Sequence, residues 1–318
     1  MTTYSFTEQG PLEAGFAAIF HERIVPILER HEAERQELRS KAIRGMSISG
    51  LGGASGAGIG FTNEYEVAGG VAGVVGGMGV FGVRSLYESR WKAGLGAEIV
   101  PILCDFLGGM RPGGHMVSAS EFARLGVVPT HHSSHTEDPV QGEHNGIAWA
   151  LTEAKLTSRS RDSKGRRRNK TVFRGLLFQI AVDRPAPRIY FARDRGGVIN
   201  WLSESMSGAR RGLEKIEASD PEFEKIYEVY TDDPAAAREY VDPNVLEGLL
   251  LISKYARGGG YVAAAFEGDW FRLALPRRRD FLSLGSLFRP TSEIEADLHN
   301  ALSDLDLPRR IIDALSGR

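Results

Sequence analysis

The chain has 318 residues, 42% hydrophobic and 25% charged, a composition that excludes a disordered polymer and indicates a folded globular protein. A net charge of −2 excludes a polyanion-seeking surface over the whole molecule, so any affinity for nucleic acid or acidic lipid has to come from a local patch. The lone cysteine, Cys104, excludes an internal disulfide and a cysteine-rich zinc site, which suits a reducing compartment.

The amino terminus has no basic segment leading into an apolar core, so no signal peptide is expected. Phe16, Phe20, Ile24, Ile27 and Leu28 recur at helical spacing and predict an amphipathic helix over 10–40, kinked or broken at Pro26. The charged run HEAERQELRSK extends it as a solvated helix. Glycine then dominates: 14 of the 38 glycines fall between Gly45 and Gly82. Two charge-free arms, GMSISGLGGASGAGIGFT and VAGGVAGVVGGMGVFGV, flank the polar NEYE. Each is close to the shortest length that crosses a hydrocarbon core as a helix. Gly52, Gly56 and Gly60 in the first arm, and Gly69, Gly73 and Gly77 in the second, recur every fourth residue. On a helix each set shares one face, open to close approach by another backbone. A glycine in a water-exposed helix costs about 1 kcal/mol, so a tight helix partner or lipid has to offset these six. Lys41 and Arg44 precede the arms and Arg84, Arg90 and Lys92 follow them, which places both ends in the cytoplasm if the hairpin inserts. A membrane-associated helical hairpin over 45–83 is the leading expectation. A soluble glycine-rich hairpin, or one buried in an oligomer, is the alternative.

Residues 92–110 predict a short amphipathic helix stopping at Gly108-Gly109, with Cys104 as a small buried apolar residue. A loop-rich stretch follows to about residue 145. Alternation at Ile147, Trp149 and Leu151 then signals a half-buried strand, with further strands at 171–182, 188–193 and 224–232. A helix is expected at 201–215, and two more open at Asp233-Pro234 and Asp242-Pro243. GYVAAAFEGDWFRLALP predicts a hairpin turning at Glu267-Gly268-Asp269. An amphipathic helix over 291–316 ends the chain, broken at Pro308. The interleaving lacks a regular βαβ repeat and implies an α+β fold: N-terminal helices with the glycine-rich hairpin, then a mainly antiparallel sheet with interleaved helices and a C-terminal helix. The expected division is 1–110 and 111–318.

His131, His132, His135 and His144, with Glu137 and Asp138, form the best metal-like cluster, although their spacing fits no zinc signature and a solvated polar loop explains them as well. Arg159, Arg161, Lys164, Arg166, Arg167, Arg168 and Lys170, with only Asp162 as counter-charge, predict a basic hairpin tip. Its readings are a solvated loop, an anionic lipid contact or, less favoured because no aromatics interleave, a nucleic-acid contact. Arg277, Arg278 and Arg279 form a smaller patch of the same kind. GLGGASGAG lacks the Lys-Ser/Thr ending of a phosphate-binding loop. The acid pairs Glu137-Asp138 and Asp232-Asp233 read as helix caps. No nucleophile elbow or zinc-protease motif occurs.

The order of segments from 136 to 290 carries a resemblance. Its marks are Glu137, Asp138 and Gly142; the strand Val172-Phe173-Arg174-Gly175-Leu176; and Phe223, Tyr227, Val229, Tyr230 and Asp233. An Ala-Arg helix and a leucine-rich helix come next. This pattern resembles the bacterial family catalogued as domain of unknown function 3137, many of whose members carry two transmembrane helices where this chain has its glycine-rich arms. The resemblance supplies no activity and no catalytic residue. Together with the uncharged glycine arms and their flanking positive charges, it leads to the expectation of a non-enzymatic accessory or scaffold protein at the bacterial inner membrane, with a cytoplasmic α+β domain, no cofactor, and self-association or a membrane-protein partner through the arms. The alternatives are a soluble metal-binding or hydrolytic enzyme built on the His131–His144 loop, with a cytoplasmic location, or an anionic lipid or nucleic-acid binder acting through 159–170.

Overall fold

The computed structural model describes residues 3–62, 66–161, 165–193, 212–255 and 262–317, with backbone alone at 48–62, 66–79, 81, 161, 193, 254 and 255. The chain divides into two units: Met1–Phe106 with Leu282–Ser303, and Leu107–Phe281 with Asp304–Arg318. The segment 282–303 thus joins the amino-terminal unit, although its sequence neighbours lie in the other one.

In the first unit a short helix α1 (Phe16–Ile19) runs through a π turn (Phe20–Ile24) into α2 (Val25–Thr62), and α3 (Glu66–Leu107) follows. The expected break at Pro26 is this π turn. Proline has no N–H and its ring crowds the carbonyl four residues back; shifting the local bonding to i→i+5 absorbs both defects without ending the helix. The short helix expected over 92–110 is the last part of α3, which ends before Gly108 and Gly109, both at positive φ (72° and 62°). Phe16, Phe20, Ile24 and Leu28 are buried with Trp91, Leu95, Ile99, Leu103 and the strap residues Leu284, Leu287, Ile294 and Leu298. Phe6 lies 4.8 Å from the Phe16 ring and 4.5 Å from His299. Within this core Arg35 is almost fully buried, donating to both Glu32 oxygens and to the Leu287 carbonyl.

The second unit is built on a seven-stranded sheet, antiparallel at every pairing among the described residues. The strands are β1 (Met110–Pro112), β2 (Ser133–His144), β3 (Ile147–Arg161), β4 (Arg167–Arg193), β5 (Glu214–Ile216), β6 (Tyr227–Thr231) and β7 (Ala263–Pro276). Their order is β1-β2-β3-β4-β6-β5, with β7 also paired to β4. Helices α4 (Ala119–Arg124), α5 (Pro221–Glu224), α6 (Pro234–Ala237), α7 (Pro243–Tyr255), α8 (Glu295–Leu305) and α9 (Leu307–Leu315) complete the chain, α8 beginning in the first unit. One sheet face, with Leu156, Leu177, Ala265 and Ala274, is covered by Phe122, Leu125 and Val128 from α4 and its following loop. Helices α7 and α9 approach so closely that a Cβ on Gly248 would stand 2.8 Å from the Ala314 carbonyl oxygen. The result is the α+β architecture expected from the sequence.

Several expectations are corrected. The stretch before 145 contains β1, α4 and the twelve-residue β2, whose polar sequence SSHTEDPVQGEH buries only Val140 and so gives little apolar signal. The two strands expected at 171–182 and 188–193 form one continuous strand, and the hairpin expected at Glu267-Gly268-Asp269 is likewise a single strand, β7. The turn-like residues DRPAP and EGD face each other across β4 and β7, where the register shifts between Ala181 and Ile189. They bend a paired ladder instead of reversing it. Glu214–Ile216 is strand, contrary to the helix expected at 201–215, the rest of which lies outside the described residues. The terminal helix breaks between Leu305 and Leu307, just ahead of Pro308.

Candidate functional site

Three features of the structure bear on function: the helical hairpin of the first unit, and the basic ribbon and an open cleft of the second. In the hairpin, Arg23 pairs with Asp105 (3.2 Å), Arg30 and His31 with Glu98 (2.8 and 2.7 Å), and a Cβ on Gly45 would stand 2.9 Å from Val83 Cγ1. Each step up α2 from Arg23 to Gly45 is matched by an equal step back along α3 from Asp105 to Val83. The two helices are therefore antiparallel and in constant register over this length. Between Arg44 on α2 and Arg84 on α3 the only charged residues are Glu64 and Glu66, in the NEYE segment that separates the two arms. Ile43 and Leu86, at the edges of this stretch, are 43% and 67% exposed. Gly52, Gly56, Gly60, Gly69, Gly73 and Gly77 all lie on helical backbone, which rules out a phosphate-binding loop there; their surroundings lie outside the described side chains. Among the described residues no helix is long and apolar enough to cross a membrane, a statement that does not reach the two arms.

The four histidines are not brought together. They precede and span β2, whose twelve residues extend about 40 Å. At one end the His132 ring lies 3.2 Å from Ser158 Oγ, and its main-chain N–H donates to the Thr157 carbonyl at 2.9 Å. His131 Nδ1 is 3.2 Å from the Pro129 carbonyl, and His135 is 3.5 Å from Glu137. At the far end His144 pairs with Asp313 of α9 at 2.8 Å. Among the described residues no three His, Cys, Asp or Glu side chains are grouped to hold a metal ion. The metal reading of this segment is therefore corrected: an extended strand separates ligands that a loop was expected to gather.

The basic run lies where a hairpin tip was expected. Strand β2 pairs with β3 only as far as Ser133 opposite Thr157, and β7 leaves β4 at Gly175 opposite Pro276. Beyond these points Ser158–Arg161 and Arg167–Lys170 pair only with each other among the described residues, as a two-stranded ribbon. Arg159, Arg166, Arg167, Arg168 and Lys170 are exposed on it, Arg161 lies on its backbone, and Lys164 falls outside the described residues. The patch at Arg277, Arg278 and Arg279 is partly consumed by structure, because Arg277 and Arg279 both donate to buried Asp304 (2.5 and 2.9 Å).

An open cleft of about 620 Å³ lies at the sheet edge carrying β1, where Arg111, His115, Gln141 and Glu143 stand with Trp149 and Trp270. With its amide oxygen turned to Arg111, Gln141 accepts from Nε and Nη2 at 2.7 and 2.6 Å. The cleft offers aromatic surface and both signs of charge, the materials of recognition. None of these residues stands out in the sequence, because the cleft depends on pairing β1 with β2 across thirty residues of chain.

The motif positions are structural. Phe223, Tyr227 and Val229 are buried, and the Phe223 and Tyr227 rings stack at 4.9 Å. Asp233 accepts from the N–H groups of Ala235 and Ala236 and caps α6. Glu137 and Asp138, expected to cap a helix, instead occupy a bulge of β2. A Cβ on Gly175 would run into the Leu275 carbonyl oxygen, and one on Gly142 would stand 2.7 Å from the Trp149 ring. Buried Glu153 accepts from the Phe281 N–H at 2.6 Å, and burial pushes its carboxyl above the usual range. Cys104 is buried, its thiol pushed up to about 12 by burial, which makes it a poor nucleophile.

Residues 171–316 match the family model described as "Protein of unknown function (DUF3137)". No curated protein matches the chain. Among solved structures, the chain is similar to the crystal structure of the mycobacterial trehalose monomycolate transport factor A, TtfA, at 12% identity and a TM-score of 0.24, covering 55% of this chain and 73% of that one. So low a TM-score carries no argument about role.

Proposed function

We propose that this chain, which carries the domain of unknown function 3137 over residues 171–316, is a membrane-associated accessory or scaffold protein, held at the bacterial inner membrane by its helical hairpin, with the α+β unit in the cytoplasm and no catalytic role. The observation that carries this reading is the constant antiparallel register of α2 and α3 below two charge-free arms. Continued upward, that register would set Gly52 opposite Gly76, Gly56 opposite Ala72 and Gly60 opposite Ala68, small residues against small ones, as close helix packing needs. The first arm is about 27 Å long as a helix, close to the hydrocarbon thickness of a bilayer. Exposed Ile43 and Leu86 continue an apolar surface down to the level where charge begins, as an interfacial zone requires. Lys41, Arg44, Arg84, Arg90 and Lys92 at the base favour the cytoplasmic side. A second copy or a membrane-protein partner fits the remaining surface of the arms.

Fractionation of bacteria expressing the full chain tests this reading. The protein is expected to sediment with membranes, to resist high salt and to be released by detergent. A full-length chain that stays soluble and monomeric without detergent overturns it. Gly73→Leu with Gly77→Leu is expected to weaken cross-linking between subunits; unchanged cross-linking removes the self-association part of the proposal.

A further inference from the structure

We infer that the β3–β4 ribbon is a docking surface for anionic lipid headgroups, an inference that rests on the membrane reading above. Between residues 158 and 171 the chain has seven basic residues and a single acid, Asp162, although the net charge of the whole chain is −2. This imbalance is presented on a ribbon about 13 Å long that has left the sheet. The register distributes them over both ribbon faces. Lys170 and Arg168, opposite Ser158 and Ser160, lie on one face; Arg159 and Arg167, opposite Asn169 and Arg161, lie on the other. A duplex groove reads one face of a β-ribbon, and a single strand needs aromatic platforms, which this ribbon lacks. A headgroup layer surrounds an end-on ribbon on all sides and matches cations on both faces. The other exposed positions, Ser160, Gly165, Asn169 and Thr171, are small or polar, with no apolar wedge. The contact is therefore electrostatic and confined to the headgroup layer. His132, hydrogen-bonded at the ribbon base to Ser158 and Thr157, ties the ribbon to β2 and fixes its direction of exit.

The test is flotation of the full chain with vesicles of phosphatidylcholine alone and of phosphatidylcholine mixed with phosphatidylglycerol, at low and physiological salt. Binding to neutral vesicles reports the hairpin, and the salt-sensitive preference for anionic vesicles reports the ribbon. Replacing three exposed cations by Arg166→Ser, Arg167→Ser and Arg168→Ser is expected to reduce that preference roughly 100-fold while leaving neutral binding unchanged. The pair Arg159→Ser and Arg167→Ser, which touches both strands, is expected to reduce it at least roughly 10-fold and guards against misfolding of the triple variant. Ribbon-dependent binding to anionic vesicles, with none to neutral ones, upholds this inference and rejects the hairpin reading. A preference unchanged in both variants overturns the inference, as does tighter binding to a DNA duplex than to anionic vesicles at equal salt.

Discussion

Glu32 accepts hydrogen bonds from Arg35, Gln36 and both the N–H and hydroxyl of Thr291, which joins α2 to the strap at 282–303. Arg35 is the largest influence and holds the Glu32 carboxyl at about 2, below its usual 4.5. The folded value lies below the unfolded one, so the stabilisation is complete above 4.5 and fades as pH falls toward 2. Glu32→Gln is expected to cost about 3 kcal/mol at neutral pH by urea unfolding, with the gap to the native chain closing through that acidic window. A gap independent of pH contradicts this assignment. Gly175→Ala is expected to destabilise by at least about 2 kcal/mol, since the backbone of β7 has to move; an unchanged urea midpoint rules out the close approach. Little of this was legible beforehand. Glycine at 175 and 142 is visible in the sequence as a motif, but the carbonyl and indole that exclude a Cβ come from distant strands.

At the scale of elements, the register of the hairpin can be tested where it is tightest. Gly45→Leu drives a branched side chain into Val83 and is expected to lower stability by about 2 kcal/mol. Val83→Ala should restore part of the loss, and strictly additive effects in thermal unfolding contradict direct contact. Helical periodicity made α2 and α3 legible, and Pro26 marked the place of the π turn without revealing its form. The sheet was legible where one face is buried, as at Trp149 and Leu151, and silent at β2, a strand of polar residues that buries only Val140. Local turn chemistry misled at DRPAP and EGD, because tertiary pairing of β4 with β7 overrides it. The basic run was legible as a hairpin tip from its place between two predicted strands, whereas its two-faced character required the register. The histidines looked like a cluster only because sequence proximity was taken for spatial proximity, and an extended strand undoes that.

For the whole molecule, a low net charge conceals two local extremes: two uncharged arms separated by the segment NEYE, on paired helices, and a dense cation ribbon on the sheet. On the proposed reading a membrane surface accounts for both, one through the loss of water around glycine-rich helices and the other through Coulomb attraction to headgroups. The most direct test of the central claim is to ask what solvent surrounds the arms. Val75 lies two residues from both Gly73 and Gly77 and so stands on the opposite side of a helix from the glycine face. In a Cys104→Ala background, a fluorophore placed at Val75→Cys in membrane-bound protein is expected to show an apolar emission and to be quenched by spin-labelled acyl chains. A water-like emission untouched by those lipids would contradict the account.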